Sequence, residues 1–226
     1  MRRIVCEACP GSAAPVRIAL LPGAYQHPED FRRAGFAAAV RVRDLAIDLE
    51  FIGVDMAHVL DRSGLDALRS EFVEPARQAG CRQVWLGGAS LGAYLALAYV
   101  DKRPGDLDGL CLLAPYLGNR IVTGEIASAG GVRTWQPQAI AADDEERRIW
   151  ALIRSLPSAG LRVHLGLSRS DRFGHGHRLL ADALPEGASD IVDGGHDWST
   201  WLSLWELFLD RFARTRAAPA AVPGLC

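Results

Sequence analysis

A chain of 226 residues can bury a substantial core within one domain, and its 49% hydrophobic and 23% charged residues exclude an intrinsically disordered segment. A formal net charge of −2 gives neither nucleic acid nor an anionic membrane an electrostatic footing. The cysteines (Cys6, Cys9, Cys81, Cys111 and Cys226) are odd in number and irregularly spaced, which argues against a secreted disulfide framework.

Glu7 and the polar pair Gly11-Ser12 fall where a signal peptide would need its apolar stretch, and no run has the length of a membrane span. The expectation is a cytoplasmic protein. Cys6 and Cys9 form a lone C-x-x-C without a second pair or a thioredoxin-like context, so a structural or incidental role is expected.

In chain order, a short edge strand is predicted near Arg3–Glu7. Apolar runs of strand length follow at Val16–Leu21, Asp44–Leu49, Gln83–Leu86, Leu107–Leu113, Leu161–Leu167 and Asp190–Val192. Several are apolar at consecutive positions, as in parallel strands covered on both faces. Helical segments alternate with them. One opens at Pro28-Glu29-Asp30, where proline suits the first turn and acids complement the helix dipole. Gly64–Ala79 carries Leu65, Leu68, Phe72 and Ala76 at spacings of three and four, with Pro75 expected to kink it. Leu91–Val100, Asp143–Leu156, Arg178–Leu184 and Thr200–Arg214 complete the set. This alternation predicts an α/β fold with a doubly wound, mostly parallel sheet. Residues 1–214 are expected to form one domain. Tyr116–Gln138, with four glycines and Pro137, reads as a long connection of the kind that forms a short lid or is disordered. Residues 215–226, rich in alanine and proline, read as a tail.

Gly88-Ala89-Ser90-Leu91-Gly92 is a G-x-S-x-G pentapeptide between the apolar strand Val84-Trp85-Leu86 and an apolar helix of small residues. That context puts Ser90 on a sharp strand-to-helix turn, its hydroxyl raised to the top of the sheet and a helix N-terminus beneath any oxyanion. A serine nucleophile needs a base, expected after the last strand. There Gly194-Gly195-His196-Asp197-Trp198 supplies His196 on a tight turn. The acid is expected beyond the C-terminal end of an earlier strand, which selects Asp171 in Ser168-Arg169-Ser170-Asp171-Arg172. Asp193 is the rival, three residues before His196, and Asp197 reads as a cap for the final helix. An oxyanion hole needs two backbone N–H groups. Leu91 is one candidate, and Leu21-Pro22-Gly23-Ala24-Tyr25 offers Ala24 as the other, with Tyr25 as the alternative. Tyr25 and Trp135 are candidate substrate-binding side chains, although packing explains Trp135, Ile121, Val122 and Ile126 equally well. His27 is expected to cap or pack.

These pieces together resemble the α/β-hydrolase superfamily, with small bacterial serine esterases as the nearest likeness. The order Ser90, Asp171, His196 is that superfamily's order, and the resemblance runs from Val16 to Arg214. Pro22 stands where many members have histidine, the N-terminal strands are abbreviated and the lid is short. The resemblance implies acyl transfer through an acyl-enzyme on a small-molecule substrate, with Ser90, His196 and Asp171 as catalytic triad and no cofactor or metal. A carboxylesterase is the first expectation. A thioesterase or acyltransferase on acyl-CoA or acyl-carrier thioesters is the alternative, and a non-catalytic binding module on the same shell the remote one. Two weaker signals remain. His175 and His177 lack a third ligand nearby and read as loop or helix start rather than a metal site. Arg169 and Arg172 flank Asp171 and could steer an anionic substrate, although solvated surface arginines are the simpler reading.

Overall fold

The computed structural model describes residues 1–8, 13–54 and 63–217. Cys9, Cys226 and the Gly11-Ser12 pair lie outside the described residues. Seven strands form one sheet: β1 (Arg2–Cys6), β2 (Val16–Leu21), β3 (Ile47–Gly53), β4 (Gln83–Ala89), β5 (Gly109–Leu113), β6 (Arg162–Ser168) and β7 (Ser189–Val192). Their order is β1-β3-β2-β4-β5-β6-β7. β1 is the predicted edge strand and runs antiparallel to β3, with Arg2 opposite Gly53; every other pairing is parallel.

The consecutive apolar positions have the predicted cause: both faces of the sheet are covered. Ile18 and Leu20 face one layer and Ala19 and Leu21 the other. The first layer is aromatic. Helices α1 (Pro28–Arg33) and α2 (Phe36–Val42) pack there with the long C-terminal helix. That last helix, spanning Trp198–Ala217, sets Trp198, Trp201, Trp205, Phe208 and Phe212 along one stripe at spacings of three and four. Phe208 and Phe212 meet Trp85 of β4 edge-on, with centroids 5.4 and 5.7 Å away. The opposite layer holds α3 (Ser63–Leu68), α4 (Glu74–Gln78), α5 (Leu91–Lys102), α6 (Arg120–Ser128), α7 (Glu145–Ser155) and α8 (Gly174–Ala183); the C-terminal helix is therefore α9.

Four expectations are corrected. The strand read at Asp44–Leu49 runs instead from Ile47 to Gly53, because α2, which the sequence reading lacked, ends in a turn where Asp44 takes φ 49°. Charge disguised that strand: Asp48 and Glu50 are both buried. Asp48 accepts the N–H groups of Ala8 and Ala14, and Arg17 pairs with Glu50. The helix expected at Gly64–Ala79 is broken by a π-helical turn, Arg69–Val73, ahead of the expected kink at Pro75. The connection Tyr116–Gln138 contains helix α6, capped by the Asn119 side chain on the N–H groups of Ile121 and Val122. The tail expected at 215–226 is helical over its first three residues, since α9 continues to Ala217; residues 218–226 lie outside the described ones.

His164 on β6 is buried, its Nε2 without a partner and its Nδ1 3.9 Å from Asp190. Burial outweighs the attraction of Asp190 and lowers its pKa from 6.5 to about 4. A histidine that titrates lower when folded contributes its full stability above pH 6.5 and loses it as pH falls towards 4. That loss is about 3 kcal/mol. Urea unfolding from pH 7 to pH 4 is expected to show it, and His164→Gln is expected to flatten the decline by most of that amount. Burial lowers His177 as well, which adds a second decline in the same direction.

Candidate active site

β4 runs through Gly87 and Gly88 to Ala89, and the chain turns at once into α5. The turn is Ser90, held at φ 53° and ψ −116°, a conformation that few residues with a side chain adopt. Three backbone bonds pin it there. The Ser90 N–H donates to Leu113 O at the end of β5, and Ser90 O accepts from the N–H groups of Tyr94 and Tyr116. Gly92 is required because β2 passes so close: a Cβ there would stand 1.9 Å from the carbonyl oxygen of Leu21. The pentapeptide is thus a steric solution to bringing strand, helix and neighbouring strand together at one point.

Ser90 Oγ donates to His196 Nε2 across 2.9 Å, and His196 Nδ1–H donates to Asp171 Oδ2 across 2.8 Å. The structure brings together the three side chains singled out in sequence. Asp171 lies just past the C-terminal end of β6, where its other oxygen, Oδ1, accepts the Phe173 N–H at 2.8 Å. Its side chain is fully buried. Burial alone would raise its pKa. The hydrogen bonds from His196 and the Phe173 N–H, with the nearby His177, outweigh that and hold the carboxyl below the usual carboxylate range. The imidazole is clamped edge-on by two rings, Phe173 at 4.9 Å and Trp201 at 5.1 Å. Its loop is tied to the Asp171 loop by Ser168 Oγ on Gly195 O and by the Ser170 N–H on Gly194 O. Gly194 takes φ 135°, and a Cβ there would press on Thr200 Oγ1, so the tight turn before His196 needs glycine.

The rival acid is elsewhere. Asp193 is 92% exposed and pairs with Arg169 at 3.0 Å, whereas the imidazole bonds Asp171. Asp197 caps α9 through the Thr200 N–H, as expected. His27 occupies the N-cap position of α1, where its N–H donates to Asp30.

Across the nucleophile from His196, Gly23 approaches so closely that a Cβ on it would stand 3.4 Å from Ser90 Cβ. The Gly23 N–H is taken by the side chain of Gln26, 3.1 Å away, and the Gln26 N–H returns to Gly23 O. That turn leaves the Ala24 N–H without a protein acceptor among the described residues. Leu91, as first residue of α5, has no acceptor one turn earlier in its helix. Tyr25 sits at the turn's apex with φ 61° and is 91% exposed, on the rim of a cleft of about 240 Å³ that Gly23, Ala24 and Leu91 also line.

Of the two roles left open for Trp135, substrate binding and packing, its position fits packing. It is 2% exposed in the core, and its indole N–H donates to Glu125, so it packs the connection rather than facing a substrate. Ile126 and Val122 are buried beside it, whereas Ile121 is 76% exposed. Sequence reasoning missed Tyr116, Phe173 and Gln26. The first two stand three residues after the end of β5 and two residues after Asp171, at the strand ends that the parallel-sheet rule marks as site-facing. Gln26 lies three residues after Gly23, a spacing that fits a side chain closing a turn. His177 is buried with Nε2 2.9 Å from Pro115 O, and no cluster of potential metal ligands occurs among the described residues.

No family model matches the chain, and no curated protein matches it in sequence. Its fold does find counterparts. Est1E from Butyrivibrio proteoclasticus superposes with a TM-score of 0.61 at 12% identity, covering 93% of this chain and 94% of that one. A carboxylesterase of the ammonia-oxidizing thaumarchaeon Nitrososphaera gargenis gives 0.60 at 12% identity, covering 95% and 94%. S-formylglutathione hydrolase from Staphylococcus aureus gives 0.58 at 11% identity, covering 88% and 82%. With its seven-stranded, mostly parallel sheet flanked by helices, the chain has the fold of the α/β-hydrolase superfamily.

Proposed function

We propose that this protein is a serine hydrolase that cleaves carboxylic esters through an acyl-enzyme on Ser90. The observation that carries the reading is the unbroken hydrogen-bonded line from Ser90 Oγ through His196 to Asp171, mounted on a strained turn.

As the Ser90 oxygen attacks the ester carbonyl, its proton passes to His196 Nε2. The ionised Asp171 fixes the tautomer with Nδ1 protonated and stabilises the imidazolium that forms. The carbonyl oxygen becomes an oxyanion, received by the N–H groups of Leu91 and Ala24. Gln26 occupies the Gly23 N–H, so the loop presents the next amide instead. The imidazolium then protonates the departing alkoxide. Water, deprotonated by His196, attacks the acyl-enzyme and releases the acid with Ser90 restored. Each proton passes between Ser90, His196, water and the substrate, so the steps call for neither cofactor nor metal; the cytoplasm is the location proposed from the sequence.

A panel of 4-nitrophenyl esters from two to twelve carbons, run beside matched acyl-CoA thioesters, tests it. Turnover of at least one ester is expected. Absence of turnover on every ester would overturn the reading, and turnover of thioesters alone would replace it with a thioesterase.

A further inference from the structure

A larger cleft of about 510 Å³ is lined not by Ser90, His196 or Asp171 but by Tyr116 and Phe173, which touch Ser90 and His196. Its walls are continuous with the site. The Tyr116 N–H bonds Ser90 O, the Phe173 ring stands edge-on against His196, and these two aromatic rings meet at 5.5 Å. Leu117 lies with them, and Gly124 and Gly176 border the same cleft without side chains. This is an apolar pocket large enough for a chain of several carbons.

Its rim has the opposite chemistry. Arg120 at the start of α6 and Arg172 just after Asp171 both line it and are both exposed, with His175 beside them. The Arg172 guanidinium lies 4.9 Å over the Phe173 ring, which links a fixed positive charge to the ring that clamps His196. Neither arginine meets a carboxylate among the described residues. The contrast with Arg169 is informative, since that arginine is neutralised by Asp193 on the outer surface. Glu146 reaches the wall from α7, where the N–H and side-chain amide of Asn119 and the Tyr116 hydroxyl bond it; it keeps its negative charge but forms an ion pair with neither arginine. A largely apolar cleft next to the residues that touch Ser90 and His196, rimmed by two guanidinium groups without an ion-pair partner among the described residues, matches a substrate with an apolar stem and an anionic end.

Resting on the serine hydrolase reading, we infer that this cleft selects esters bearing a carboxylate or phosphate a few carbons from the scissile carbonyl, held by Arg120 and Arg172. The anion belongs to whichever half of the ester occupies the cleft, and the test has an arm for each half. For the acyl half, 4-nitrophenyl hemiglutarate is compared with 4-nitrophenyl valerate. For the alcohol half, butyrate esters of 3-hydroxypropyl phosphate and of 1-propanol are compared by acid release.

In one arm the anionic ester is expected to exceed its neutral match about tenfold in kcat/KM, with the excess shrinking as salt is raised. Arg120→Gln with Arg172→Gln is expected to bring that ratio to about one, whereas Arg169→Gln keeps it. The inference is overturned if neutral esters turn over and neither anionic ester is preferred, or if the preference survives the double substitution. That result leaves the hydrolase reading intact. Absence of turnover by the original protein on every ester, neutral ones included, would defeat the hydrolase reading and this inference with it.

Discussion

Ser90→Ala is expected to lower kcat for the best ester by roughly 10⁴- to 10⁶-fold, with KM changed little. The size follows from what is removed. Without Oγ there is no atom to bond the acyl carbon, and His196 loses the proton it would take at 2.9 Å. Only binding and the N–H groups of Leu91 and Ala24 remain to favour direct attack by water. The fold is expected to persist, because alanine at φ 53° bears the same kind of backbone strain as serine and the three backbone bonds at residue 90 do not use the side chain. Circular dichroism and a melting curve close to those of the original protein check that point. Comparable turnover by a folded Ser90→Ala protein would move the chemistry to another residue.

Asp171→Asn is expected to cost about 10⁴-fold in kcat, while Asp193→Asn leaves it near the original value. The buried carboxylate accepts from both His196 Nδ1–H and the Phe173 N–H. An asparagine that kept the second bond through its carbonyl oxygen would turn its amide N–H towards His196. The imidazole would then accept at Nδ1 and carry its proton on Nε2, where it could no longer receive one from Ser90. Asp193, exposed and paired with Arg169, has no such hold on the ring. Steady-state rates of the two variants on one ester decide between them. A large loss in Asp193→Asn with little in Asp171→Asn would reverse the assignment.

Much of this architecture was legible because its causes are local. The glycines at 88 and 92 record the close approach of Leu21, and Gly194-Gly195 records the turn that carries His196. Chain order placed Asp171 beyond β6. What escaped depended on partners distant in sequence. The strand predicted at Asp44–Leu49 stops short of Glu50, whose partner Arg17 is 33 positions away, just as the amides of Ala8 and Ala14 that satisfy Asp48 come from a distant segment. Trp135 read equally as lid wall or packing, and its bond to Glu125 together with its burial decides for packing. Arg120 and Arg172 are 52 positions apart, and only the folding of α6 against α8 sets them on one cleft. Sequence could name Arg169 and Arg172 as equals; the structure separates them by giving Asp193 to one alone.

Covalent labelling tests the assignment of Ser90 as nucleophile without need of a known substrate. A fluorophosphonate phosphonylates a serine oxygen as the P–F bond breaks and fluoride leaves, and only a serine activated by its neighbours reacts readily. Incubation followed by peptide mass spectrometry is expected to find one adduct per chain, on Ser90, with none in Ser90→Ala and a strongly slowed reaction in His196→Ala. No adduct on the folded protein, or an adduct on another serine that forms equally well in Ser90→Ala, would contradict it.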